Sequence, residues 1–152
     1  MSTVKCLTIS GDYQEIEETE LSDRQSSYGL VVSDKNELLV EDATTEGGKY
    51  WFLGGGLDDN EEPITGLKRE LLEEAGITIN NIQLLGEITY CYYHNKLNKY
   101  FRNHALFYRC HLLNQTNDSN VSTRWLQLSK INKDGFYPLL GEILDKLIRN
   151  QS

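Results

Sequence analysis

Residues 54–77 read GGGLDDNEEPITGLKRELLEEAGI, and this stretch constrains the chain more than any bulk property. Three consecutive glycines lead into an acidic loop, and the loop leads into a helix with clear ends. Ile64, Leu67, Leu71 and Ala75 recur at spacings of three and four, so Pro63–Ala75 is predicted to be a helix with one apolar stripe. Asn60 is the expected N-cap, Glu61 and Glu62 suit the first turn, and Gly76 suits the position just past the end. With strands read before and after this helix and a second helix closing the chain, the order strands, helix, strands, helix implies an α+β or mixed α/β/α layered domain.

The flanks complete that expectation. The first 24 residues read as irregular, or at most an edge strand, with an acidic patch at Glu15, Glu17, Glu18 and Glu20. Tyr28 to Val32 and Glu37 to Val40 are apolar runs around the turn-rich quartet Ser33-Asp34-Lys35-Asn36, a hairpin pattern. Lys49 to Leu53 reads as a short strand feeding the glycines. Ile77 to Tyr93 and Tyr100 to Leu112 read as long strands, Asn114 to Thr123 as a loop, Trp125 to Leu128 as a short strand, and Phe136 to Arg149 as a closing helix. With 152 residues the expectation is a single α+β domain, spanning 1–152, around a mixed sheet.

Charge narrows the function classes. A formal net charge of −8 argues against a stable nucleic-acid complex, because such binders present basic surfaces. It leaves nucleotides open, since a bound cation reverses the local sign. Cys6, Cys91 and Cys110 show no metal-ligand spacing and read as reduced thiols of a cytoplasmic protein. No apolar run approaches membrane-spanning length. Asn114-Gln-Thr, Asn117-Asp-Ser and Asn120-Val-Ser read as an exposed polar loop rather than as glycosylation acceptors.

The acidic face of the helix carries the chemistry. At 100° per residue, Glu70, Glu73 and Glu74 fall within roughly a 100° arc, away from the apolar stripe. Gly66 projects into the same arc and leaves room for a ligand or a neighbouring loop. A merely solvated face would collect penalties. Like charges at i+3 and i+4 cost about 0.2–0.5 kcal/mol per pair. Anions in the last turn oppose the macrodipole by about 0.3–1 kcal/mol each. A divalent cation removes both costs, and an all-oxygen set suits Mg²⁺, with Mn²⁺ as the variant. The glycines let the backbone face phosphate or metal closely.

These residues resemble the box of the Nudix (MutT-like) hydrolases: Gly55, Glu61, Arg69, Glu70, Leu71, Glu73, Glu74, Gly76 and Ile77 fill every defined position. The resemblance implies a Nudix-type α/β/α sandwich and metal-dependent cleavage of a diphosphate linkage in a nucleoside diphosphate derivative. It also implies metal ligation by Glu70, Glu73, Glu74 and the backbone of Gly54. Arg69 would orient the glutamates, Glu61 would pair with Arg69, and Gly55 and Gly56 would lie against substrate. Two positions depart from the usual pattern: Leu53 stands where many members have proline, and Asn60 where many have glycine. Asparagine tolerates the left-handed conformation, so little damage is expected there. For the general base, Glu70 is preferred, with Glu87 and Asp118 as candidates outside the box.

Tyr90, Tyr92, Tyr93, His94, Tyr100, Phe101, His104, Phe107 and Tyr108 crowd a short span. Stacking on a base is one use, and for most of them ordinary strand packing is the better account. Tyr93 and His94, near a strand end, are the substrate-binding candidates. His94, His104 and His111 read as structural or exposed rather than as ligands, and Trp51 and Trp125 as packing residues. The expected partner is a small-molecule nucleotide, with no membrane, and a homodimer is compatible. Two rivals stand beside the hydrolase: a nucleotide sensor that has lost turnover, and an isoprenoid-diphosphate isomerase. The isomerase needs a proton-donating cysteine, Cys91 or Cys110, in the pocket.

Overall fold

The computed structural model describes residues 2–116 and 118–149. The strands are β1 (Thr3–Leu7), β2 (Tyr13–Glu17), β3 (Leu21–Val32), β4 (Glu37–Asp42), β5 (Tyr50–Trp51) and β6 (Leu53–Gly56), followed after helix α1 (Pro63–Ala75) by β7 (Ile77–His94), β8 (Lys99–Gln115) and β9 (Thr123–Gln127). Helix α2 (Gly141–Arg149) closes the chain. They form one mixed sheet in the order β2-β1-β7-β8-β3-β4-β5, with β6 also paired to β3 and β9 to β4. Parallel pairing occurs at β1–β7 and β3–β8, and every other pair is antiparallel.

Alternation along the strands builds two cores. Tyr28, Leu30 and Val32 of β3, Leu38 and Val40 of β4, and Ala105 and Phe107 of β8 face α2, where Ile143, Leu144 and Leu147 meet them. The intervening Val31, Leu39, Tyr108 and Cys110 face α1, against Leu67, Leu71 and Ala75. Leu67 and Leu71 are fully buried, and such burial contributes about 1.5–3 kcal/mol per side chain. The result is a helix–sheet–helix sandwich of α+β class, as the alternating pattern implies.

Several local expectations need correction. The segment before Leu21 is not irregular: β1 and β2 pair from Thr3↔Glu17 to Leu7↔Tyr13. Its partners lie far away in sequence, at Cys6↔Cys91 and Leu7↔Tyr92, so no local pattern announced it. Ile64 is exposed, and the buried stripe starts at Leu67. The N-cap of α1 is Glu62 in extended conformation, with Pro63 at N1, while Asn60 takes φ 63° in the preceding turn. Glu61 therefore lies outside the helix. The closing helix begins at Gly141 rather than Phe136, because residues 133–135 and 138–140 form 3₁₀ turns and Pro138 starts the second of them. The strand entering the glycines is two pieces, β5 and β6, separated by Phe52. Asn117 of the middle Asn-X-Ser triplet lies outside the described residues.

Candidate functional site

Arg69 organises the site. Its Nε donates to Glu61 Oε2 and its Nη2 to Glu61 Oε1, both at 2.9 Å, a bidentate fork. Nη1 donates to Glu70 Oε1 at 3.1 Å and to Glu73 Oε2 at 3.2 Å, and Nη2 also reaches the carbonyl of Gly56 at 3.3 Å. The backbone N–H of Asp58 donates to Glu61 Oε1 at 2.9 Å, which ties the acidic loop to the same carboxylate. The hydrogen bonds from Arg69 hold the Glu61 carboxyl down at about 2. The space left by Gly66 is filled by this loop: an added Cβ would strike Leu57 and come within 2.9 Å of Glu61 Oε1.

Glu70 and Glu74 face each other one turn apart, half-buried against the glycines. Burial, followed by the charges of Glu70 and Glu41, pushes the Glu74 carboxyl up to about 8. A hydrogen bond with Glu70 adds to the rise, and a backbone hydrogen bond with Gly54 opposes it. A carboxyl raised by burial and a neighbouring carboxylate is one whose ionised form a cation favours. The backbone is cut away to match, since a Cβ at Gly55 would lie 2.8 Å from Glu70 Oε2. At Gly54 the φ is 145°, and a Cβ there would strike the carbonyl oxygen of Ser27, which precedes its cross-strand partner Tyr28. A Cβ at Gly56 would strike the guanidinium of Arg24. Among the described residues no group of three His, Cys, Asp or Glu side chains is placed to hold a metal ion, and the oxygen donors gathered at the glycines are Glu70, Glu74 and the backbone. Hard oxygens of this kind fit Mg²⁺ or Mn²⁺.

Glu73 stands apart from this pair, exposed and joined to Arg69. The end of α1 is capped by the loop after β8. Asn120 donates from its backbone to the Glu74 carbonyl at 2.7 Å and from Nδ2 to the Glu73 carbonyl at 2.8 Å. Ser119 Oγ also donates to the Glu74 carbonyl, at 3.4 Å. These bonds satisfy the carbonyls that a helix end leaves open, and they neutralise part of the dipole that opposes Glu73 and Glu74.

Beyond Glu41 the sheet opens into a cavity of about 260 Å³ whose walls include Tyr28, Trp51, Tyr90, Tyr92, Tyr93 and Tyr137. Trp51 is its hub, with ring centroids 5.7 Å from Tyr28, 5.7 Å from Tyr90 and 5.4 Å from Tyr137. Tyr93 therefore lines a cavity. His94 does not, and packs between Tyr92 and Phe101, with its ring pKa lowered first by burial and then by Arg24 and Lys96. Sequence reasoning missed Glu41 and Arg24, and it read Trp51 only as a packing residue. No local pattern marks any of the three.

Comparison with known proteins decides the family. The NUDIX domain model matches residues 23–147. The chain belongs to the Nudix hydrolase family. Two curated relatives match shorter stretches. An RNA pyrophosphohydrolase of Sulfurovum sp. (strain NBC37-1) is 43% identical over 54 residues, 36% of this chain and 33% of that protein. An 8-oxo-dGTP diphosphatase of Proteus vulgaris is 34% identical over 65 residues, 41% of this chain and 58% of that protein. The matches thus span about a third and under three fifths of those relatives. A solved MutT structure from work on Aliivibrio salmonicida and Vibrio cholerae superposes with a TM-score of 0.64 at 17% identity, covering 84% of this chain and 98% of that one. A MutT Nudix hydrolase from Burkholderia pseudomallei gives 0.62 at 18%, with 83% and 98% covered. Those two likenesses show the Nudix fold.

Nudix members are typically divalent-metal dependent, which agrees with the oxygen donor set above. The remaining candidates are spread out. Glu87 lines a different cavity with Leu57, Pro63 and His104, and the backbone of Asp118 lies beside Gly76 at the end of α1. Cys110 is buried in the α1 core, where its thiol donates to the Leu30 carbonyl at 3.8 Å. Cys91 pairs with Cys6 across β1 and β7, and neither lines the aromatic cavity. No helix among the described residues is long and apolar enough to cross a membrane.

Proposed function

We propose that this Nudix protein is a divalent-metal-dependent pyrophosphohydrolase acting on a nucleoside diphosphate derivative. The observation that carries the reading is the half-buried Glu74 carboxyl, raised by burial and by the charge of Glu70, with Glu70 itself against side-chain-free glycine backbone. Glu70, Glu74 and the backbone at Gly54 would hold the cation. Bound there, it would neutralise the diphosphate and lower the pKa of the attacking water. Arg69 keeps Glu70 aimed through its 3.1 Å bond, and Glu61 in turn keeps Arg69 aimed. Glu70 is our choice of general base, since it reaches the glycine strand, while Glu87 and Asp118 lie elsewhere. Gly55 and Gly56 let the diphosphate approach, and Tyr93 belongs to the wall that receives the nucleoside. The names of the two curated relatives, one for RNA and one for 8-oxo-dGTP, support a diphosphate-cleaving nucleotide activity.

The test is a Mg²⁺-dependent assay on normal and oxidised nucleoside triphosphates, ADP-ribose, dinucleoside polyphosphates and 5′-capped RNA. At least one is expected to turn over, and Glu74→Gln is expected to abolish that turnover with the fold unchanged by circular dichroism. Full activity in Glu74→Gln would overturn the assignment. Metal-dependent nucleotide binding without hydrolysis of any substrate would establish the sensor reading instead. The isomerase reading has no cysteine in the cavity to supply its proton.

A further inference from the structure

We infer that the cavity walled by Trp51, Tyr28, Tyr90 and Tyr137 receives the substrate's base, and that Glu41 selects a guanine-type (2-amino-6-oxo) purine there. This rests on the reading of the substrate as a nucleotide and goes beyond it by naming the base.

The aromatic walls give a flat ring somewhere to stack and little else to bind. Nearly all of their polar groups are already engaged. The Tyr92 hydroxyl accepts from Arg24 at 2.7 Å, the Tyr90 hydroxyl accepts from Asn103 at 2.9 Å, and the Tyr137 hydroxyl donates to the Ile9 carbonyl at 2.7 Å. Thr8 and Lys49, also on the wall, donate to the carbonyls of Asp12 and Asp134 at 3.1 Å. Glu41 differs. It lines the cavity and is partly buried, whereas Glu46, the other carboxylate on the wall, is exposed; neither side chain has a hydrogen bond or ion pair among the described residues. Burial, then the charge of Glu46, raises the Glu41 pKa, with Lys96 opposing. A carboxylate left this way is an acceptor pair waiting for donors.

Its position fits a base rather than the diphosphate. The charge of Glu41 reaches Glu74, so the cavity adjoins the carboxylate pair, yet a second anion there would repel phosphate. Bases differ in what they offer a carboxylate. Guanine presents N1–H and a 2-amino N–H side by side, matching two carboxylate oxygens. Adenine and cytosine offer an amine next to a bare ring nitrogen, uracil offers one N–H between two carbonyls, and hypoxanthine offers N1–H alone. Only the guanine edge satisfies both oxygens without setting an acceptor against them.

Isothermal titration of GMP, IMP and AMP in EDTA reads this without turnover. GMP is expected to bind at least about tenfold tighter than either, the loss expected when a charge-assisted hydrogen bond is missing. Glu41→Gln is expected to bring GMP to the level of IMP. Glu46→Gln, which removes the exposed carboxylate on the same cavity wall, is expected to keep the preference. Equal affinities for GMP and AMP, failure of GMP to bind at millimolar concentration, or a Glu41→Gln protein that keeps the preference would each overturn the inference. Nucleotide hydrolysis without base preference overturns this inference alone. A GMP preference without hydrolysis of any nucleotide overturns the proposed activity alone.

Discussion

The glycine run gives a prediction that separates fold from chemistry within consecutive residues. Gly54 pairs with Tyr28 across β3 and β6, at φ 145°. An alanine Cβ there would strike the Ser27 carbonyl oxygen and sit 2.8 Å from Tyr28 Cα, both rigid backbone atoms. Backbone strain of this kind costs about 1–3 kcal/mol, and overpacking adds about 1–3 kcal/mol. At about 2–4 °C per kcal/mol for a domain of this size, Gly54→Ala should melt roughly 5–20 °C below the parent. Gly55→Ala meets only the Glu70 carboxylate, at 2.8 Å, and a side-chain end can move. Its melting point should shift by no more than about 2–4 °C, while Mg²⁺ affinity and turnover fall as Glu70 is displaced. Gly47→Ala is the control, with φ 80° and nothing within 4 Å of its Cβ. It carries only the left-handed cost of about 1–2 kcal/mol. Differential scanning calorimetry and Mg²⁺ titration of the three variants check the set. A Gly54→Ala protein as stable as Gly47→Ala, or a Gly55→Ala protein with parental metal affinity, would refute the reasoning.

Three other outcomes follow from the same geometry. The Glu74 carboxyl is raised to about 8 in the metal-free fold, so the folded chain keeps a proton that the unfolded chain loses near 4.5. Its contribution to metal-free stability therefore falls as pH rises from about 4.5 to about 8, and apparent Mg²⁺ affinity rises about fivefold from pH 7 to 8 before levelling. Melting in EDTA and Mg²⁺ titration across pH 5–9 should show both trends, and Glu74→Gln should flatten the Glu74-dependent part of each. Arg69→Lys keeps the charge but loses the fork to Glu61 and the bond to Glu70. Because Arg69 acts through Glu70, kcat should fall at least about tenfold with little change in KM, and an unaltered kcat would remove its positioning role. Asn120→Ala deletes one cap on α1. That change should cost about 1 kcal/mol, or about 2–4 °C in melting temperature, without altering kcat.

What could be read in the sequence was what lies close together along the chain. Helix α1 was legible because its stripe, its proline and its terminal glycine fall within residues 63–76. The strand alternation that divides Leu30 and Leu38 from Val31 and Leu39 was legible for the same reason. The strand β1 was hidden because its parallel partner is 85 residues away, at Cys6↔Cys91, and because β2 is an acidic edge strand with only Ile16 buried. The site divides along the same line. Its carboxylate half is contiguous, since Glu61, Arg69, Glu70 and Glu74 occupy one loop and one helix, and the box pattern gathers them. The aromatic cavity is assembled by pairing: Glu41 from β4 opposes Trp51 of β5, while Tyr90 and Tyr92 come from β7 and Tyr137 from the turn before α2.

A buried polar chain joins the halves. Ser26, paired with Gly56, donates to Asn103 at 2.7 Å, and Asn103 donates to Tyr90 in the cavity wall at 2.9 Å. Ser26 and Asn103 are fully buried, so breaking the chain at Asn103 would strand the Ser26 hydroxyl as well as remove one amide. The glycine strand and the aromatic wall are thereby held in one register. Reaction and specificity thus rest on different kinds of information. A short pattern can carry the first between distant relatives, whereas the second depends on which side chains the sheet brings face to face.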